Sequence, residues 1–235
     1  MQMGSATVTQ PPFSVPPPIP ARHQRLGRIS FDAALKLQQE AIDRYRETGE
    51  GLPIIFSLEH EPVITCGRST DRDNLLLSEE EYRERGIDLR TIDRGGDVTY
   101  HGPGQVVVYP ILDLRRLGLR AGEYVSMLEE AMIRTCADYG VRAFRRKRYP
   151  GCWTEKGKIG AIGAAIKSGG ITKHGLAFNV HTDLHMFRLI VPCGITDANV
   201  VRLADLNDKD VRPEDVEMLL VGHLAQLLGL QPSNL

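Results

Sequence analysis

No run of about twenty apolar residues occurs in this 235-residue chain, which excludes a membrane-spanning helix. The first residues lack both the cationic start and the apolar stretch of a secretory signal, so a cytoplasmic protein is expected. Cysteine is scarce: Cys66, Cys136, Cys152 and Cys193 are irregularly spaced and form no CxxC pair. That excludes a disulfide scaffold, a structural zinc site and a dithiol redox centre, and leaves any sulfur chemistry to one thiol alone. Net charge is also nearly absent, at −1, and the one single-sign cluster is Arg145, Arg146, Lys147 and Arg148. Neither nucleic acid nor a membrane is expected as a partner, although the basic run suits an acidic protein. Familiar ligand motifs fail as well. Gly157, Gly160 and Gly163 are spaced GxxGxxG, not GxGxxG, and Ile159 stands where a P-loop needs a hydroxyl for magnesium. His181 and His185 lie four apart in HTDLH without the glutamate of a zinc protease, and read as solvated or capping histidines.

What is present is ordinary globular material, 42% apolar and 25% charged, sized for one domain. Residues 1–22 hold six of the fourteen prolines and almost no periodic apolar face, so they read as a flexible arm outside the core, with one domain over 23–235. Ser30 is a plausible N-cap for a surface helix with Ala34, Leu37, Ala41 and Tyr45 on one face and glycine at its end. LPIIFSL and the β-branched GQVVVYPILDL read as strands. A second helix covers 123–139 with Cys136 on its core face, and a third runs from Pro213 to Gly229. Between them, KIGAIGAAI and ITKHGLAFNV flank Ser168, Gly169 and Gly170 as a hairpin. Helices and strands mix without regular βαβ alternation, which predicts an α/β (α+β) domain with a mixed β-sheet flanked by helices.

Two segments carry the candidate chemistry. DRGGDVTYHGPGQVVVYP crowds glycines around Arg94, Tyr100 and His101; this is either a tight connection between strands or a loop whose bare backbone approaches a ligand. LIVPCGITDANV sets Cys193 between proline and glycine at the end of an apolar run, a core thiol or one emerging at a turn. As a nucleophile Cys193 needs a nearby cation to favour its thiolate. Lys158 opens an otherwise small and apolar strand and is one candidate, although spacing cannot place it beside Cys193 and the residues alone favour a solvent-facing strand end.

Taken together, RGGDVTYHGPGQ, KIGAIG, HGLAFNV and VPCGI, with LEHEPVITCGR upstream, resemble the octanoyltransferases of lipoate biosynthesis over about residues 26 to 230. The resemblance implies a single domain similar to the biotin and lipoate protein ligase catalytic module. It implies an enzyme that moves octanoyl from the phosphopantetheine thiol of acyl carrier protein to a lysine on lipoyl domains, those of 2-oxoacid dehydrogenase E2 subunits and the glycine-cleavage H protein. No resident cofactor is expected, and the enzyme is expected to act as a monomer. By position, Cys193 matches the family nucleophile and Lys158 its partner lysine. Arg94, Gly95, Gly96, Asp97, Val98, Thr99, Tyr100 and His101 match one substrate-binding segment, Ala161, Ile162 and Gly163 a second, and Gly175, Leu176 and Ala177 a third. Thiolate attack on a thioester followed by amine attack needs no ATP. The alternatives are an ATP-dependent lipoate or biotin ligase on the same fold, against which the PCG motif speaks, and a non-catalytic module that binds acyl carriers.

Overall fold

Ser30 caps α1 (Phe31–Thr48) by accepting a hydrogen bond from the Ala33 amide, and Gly49 ends the helix in the left-handed conformation. These details belong to a computed structural model that describes residues 17–191 and 199–233. The buried stripe of α1 is Phe31, Ala34, Gln38 and Ile42, while Leu37, Ala41 and Tyr45 pack along its flank. The expected face is thus rotated, because Gln38 is drawn inward: its Oε1 accepts from the His174 amide at 2.8 Å.

The chain continues through β1 (Ile19–Ile29) before α1, then β2 (Ile54–His60), β3 (Val63–Cys66), the one-turn α2 (Glu79–Glu84), β4 (Asp88–Thr91), β5 (Val98–His101) and β6 (Gln105–Ile111). After α3 (Ala121–Asp138) come β7 (Phe144–Arg146), β8 (Tyr149–Thr154), β9 (Gly157–Ile162), β10 (Ala165–Ile166), β11 (Thr172–Lys173) and β12 (Leu176–Asn179). The chain closes with α4 (Pro213–Leu227) and β13 (Leu230–Ser233). Eight strands form one mixed sheet in the order β13-β1-β2-β6-β12-β9-β8-β7, parallel across β13, β1 and β2 and antiparallel elsewhere. A separate three-stranded sheet, β4-β3-β5, stands beside it.

Alternation along the central strands explains the layering. Ile55, Val106 and Val108 point into the core shared with α3 and α4. Their neighbours Ile54, Phe56, Val107, Tyr109 and Ile111 point to the α1 side. Both faces are covered, so these strands read as nearly continuous apolar runs. Cys136 is fully buried on α3, as expected, and its Sγ lies 3.9 Å from that of Cys152. The expected hairpin forms as β9–β12 and β10–β11, interrupted at Gly163–Ala164 and His174–Gly175.

The expected limit of the arm at residue 22 is corrected. Ile19–Arg22 pair with β13, and Ala21 is buried in the main core. Pro20 fits because β2 begins pairing only at Arg22, so its missing N–H faces no neighbouring strand.

Candidate active site

Strand β9 carries the central cation. Its register against β8 shifts between Cys152 and Trp153, so that Cys152 faces Gly160 while Trp153 faces Lys158. The extra residue places Ile159 in the α3 core, and a Cβ on Gly160 would strike Met132 on that same side. Lys158 therefore shares the opposite face with Ala161, which strict alternation would forbid. Its Nζ lies 5.4 Å from the centre of the Trp153 ring, a cation–π distance.

Lys158 lines two adjoining cavities. The narrower, about 490 Å³ with its mouth included, runs between β9, β12 and the loop before β5, and its exposed lining is mostly apolar. Arg94, Gly96, Thr99 and His101 contribute from the first predicted segment, all of Ala161, Ile162 and Gly163 from the second, and all of Gly175, Leu176 and Ala177 from the third. Gly95 and Asp97 instead line the wider neighbouring cavity, again with Gly96, Ile162 and Lys158. Val98 and Tyr100 face the small-sheet core, as the alternation of β5 requires once Thr99 and His101 face the cavity. Four further residues line the narrow cavity that sequence reasoning did not single out for it: Phe31, Ile92, Tyr109 and His174. His174 is the first residue of the HGLAFNV motif, but its left-handed backbone, φ 58°, was not visible there.

Arg94 is buried and acts as a brace. Its guanidinium donates to the Thr65 carbonyl at 2.6 Å, to Thr65 Oγ1 and to the Gly95 carbonyl. Its side chain passes so close over Gly163 that a Cβ there would lie 2.6 Å from Arg94 Cδ. Because Gln105 Oε1 can only accept, the neutral His101 ring carries its proton on Nδ1, and its Nε2 accepts from the Thr65 hydroxyl, 3.4 Å away. His101 Nδ1 then donates to Gln105 Oε1 at 2.8 Å, and Gln105 Nε2 donates to Asn179 Oδ1 at 2.9 Å. The chain ends where Asn179 Nδ2 donates to the Val201 carbonyl at 3.1 Å.

Burial pushes the His101 imidazole down to about 3, with the neighbouring His60 adding to the effect. His60 and His174 are likewise pushed down to about 4, burial being the main cause for both. All three are neutral rings at physiological pH. Asp93 behaves oppositely: burial would raise it, but hydrogen bonds from Lys167 and His174 and the charge of Lys173 hold it well below the usual carboxylate range. It ties the loop before Arg94 to the β10–β11 hairpin.

Cys193 lies outside the described residues. Its described flanks are fixed by hydrogen bonds. The Val191 amide donates to the Asn74 carbonyl at 2.9 Å, and Asn74 Nδ2 donates to Asp97 of the glycine-rich loop at 2.6 Å. On the other flank, the Lys158 amide donates to the Asn199 carbonyl at 2.8 Å and the Val201 amide to the Lys158 carbonyl at 3.0 Å. The other cysteines are buried away from the cavities, and burial pushes the Cys66 thiol up. His181 and His185 are exposed. No helix among the described residues is long and apolar enough to cross a membrane.

A family model of the lipoyl protein ligase A/B catalytic domain matches residues 31–225. The octanoyltransferase of Desulfotalea psychrophila is 44% identical over 206 residues, covering 87% of this chain and 92% of the relative. The chain belongs to that family of octanoyltransferases. A second octanoyltransferase, from Acidobacterium capsulatum, is 49% identical over 191 residues, 76% of this chain and 77% of its own. Among solved structures, the bi-partite lipoate protein ligase of Thermoplasma acidophilum superposes with a TM-score of 0.69 at 19% identity, over 92% of this chain and 86% of that one. This likeness establishes the fold, the mixed sheet flanked by helices expected from the sequence. In this octanoyltransferase the family motifs converge in space: RGGDVTYH, KIGAIG and HGLA contribute adjoining walls of the two cavities that Lys158 lines.

Proposed function

We propose that this octanoyltransferase takes octanoyl from the phosphopantetheine thioester of an acyl carrier protein and delivers it to a lysine of a lipoyl domain through a thioester on Cys193. The observation that carries the reading is Lys158, which lines both the narrow apolar cavity and its wider neighbour and is hydrogen-bonded through its backbone to Asn199 and Val201, just past the Cys193 segment. Val191, anchored on the other flank, is two residues from Cys193, a chain reach of at most about 7 Å.

In the first half-reaction the Cys193 thiolate attacks the thioester carbonyl, the bond to the pantetheine sulfur breaks, and that sulfur leaves as a thiol with a proton from the Lys158 ammonium, which is left neutral. The Lys158 ammonium favours the thiolate and supplies the positive field. In the second, the acceptor amine attacks, the C–N bond forms, the cysteine sulfur departs, and the surplus amine proton passes to Lys158. The acyl chain occupies the narrow cavity between Ala161, Leu176 and Ala177. Thioester exchange is close to neutral and amide formation is downhill, so neither ATP nor a metal is required. E2 subunits of 2-oxoacid dehydrogenases and the glycine-cleavage H protein present acceptor lysines of the required kind.

Intact-mass spectrometry after mixing with octanoyl-carrier protein, without ATP, should show one added octanoyl group on the wild type and none on Cys193→Ala. Lys158→Ala should slow both half-reactions by at least about 100-fold. Native-rate transfer by Cys193→Ala, or a strict ATP requirement, would overturn the reading.

A further inference from the structure

The wider cavity beside Lys158 has about twice the volume of the narrow one, about 1050 Å³ with its mouth, and opens toward the β7–β8 hairpin. Arg148, Tyr149 and Pro150 form its outer wall and are exposed. The hairpin is built to hold positive charge outward. Arg145 is held by Glu129 and Glu130 at its base. Arg146 packs its guanidinium 4.9 Å from the Trp153 ring and 5.1 Å from the Tyr149 ring. Lys147 and Arg148 follow at the tip, both exposed, and Arg148 takes a left-handed φ of 72° that turns the chain back into β8.

We infer that this hairpin is the docking surface for the acyl donor, an acidic carrier protein whose acylated arm lies in the wider cavity and reaches Lys158. The inference rests on the proposed function and adds to it the face on which the donor sits. Shape selects the donor over the acceptor: a cavity of this size suits a long pantetheine arm, whereas an acceptor offers only the short stem of one lysine. Charge selects an acidic partner, because Lys147 and Arg148 stand at the outer end of the path whose inner end is Lys158. Charges at such a rim act mainly on encounter and are screened by salt.

The test compares Lys147→Glu, at a tip residue that lines neither cavity, with wild type on three substrates: octanoyl-carrier protein, octanoyl-pantetheine, which lacks both protein and phosphate, and octanoyl-coenzyme A, which adds phosphates without a protein. KM for octanoyl-carrier protein should rise about tenfold or more with kcat within about twofold, and the salt dependence of kcat/KM should flatten. KM for octanoyl-pantetheine and for the lipoyl domain should move by less than about twofold. An unchanged carrier KM, an equal loss on octanoyl-pantetheine, or a shift confined to the lipoyl-domain KM would overturn the inference. A loss as large on octanoyl-coenzyme A as on the carrier would also overturn it, by assigning the hairpin to a phosphate and not to the protein. Wild-type enzyme that transfers octanoyl from none of the donors would instead defeat the proposed function itself.

Discussion

His101 has both ring nitrogens committed, one accepting from Thr65 and the other donating to Gln105, so it is a positioning residue and not a free base. Its neutral state, with those of His60 and His174, makes stability depend on pH in a defined window. Their folded values lie below the unfolded value of about 6.5, so below that pH the unfolded chain takes up protons that the folded chain refuses. The contribution is complete above about pH 6.5 and is lost as pH falls toward about 4, at roughly 1.4 kcal/mol per unit for each ring. Asp93, with its depressed value, adds a loss only below about pH 3.9, outside that window. Urea midpoints measured from pH 7.5 to 4.5 should therefore decline steeply below 6.5, and His60→Asn should remove about one proton's worth of that slope. A flat profile would contradict the assignment. None of this was legible in the sequence. The quoted motifs contained His60 and His101, but burial and the direction of each hydrogen bond depend on elements far apart in the chain.

At the scale of elements, the sequence reads best where local chemistry decides. Ser30 and Gly49 bound α1, Pro213 opens α4, and the β-branched run of residues 104–111 becomes the doubly buried β6. It reads poorly where pairing partners decide: β1 hid among prolines, the short β3, β4 and β5 carried too few residues to show a period, and the bulge that turns Lys158 toward the cavity has no local signal. One glycine marks that bulge region's other constraint. Gly157 has φ 151°, and a Cβ on it would sit 2.3 Å from the Asn199 carbonyl oxygen. Gly157→Ala should push Asn199–Val201 off Lys158, lowering the rate of acylation by at least about tenfold while costing about 1–3 kcal/mol of stability. Burst-phase acylation beside thermal unfolding would separate the two effects, and an unaltered burst would show that Asn199–Val201 do not govern the site.

Across the whole molecule, the sheet joins distant parts of the chain, with β1 lying between β13 and β2. Removing residues 1–22 would delete the four residues that pair with β13, take Ala21 out of the main core and uncover Leu230. The truncated protein should melt several degrees lower, by the scale of about 2–4 °C per kcal/mol for a domain of this size. An unchanged midpoint would mean that β13 does not depend on β1. The overall class, a mixed sheet flanked by helices, was readable from composition and element order; the order of its eight strands was not, because it sets the first strand beside the last.

The two cavities share Lys158, Gly96 and Ile162. For the proposed chemistry this means one doorway serves both macromolecular substrates, so they must take turns. Donor and acceptor then compete for free and acylated enzyme, reciprocal rate plots at several acceptor concentrations run parallel, and surplus deacylated carrier slows the very reaction that its acylated form begins.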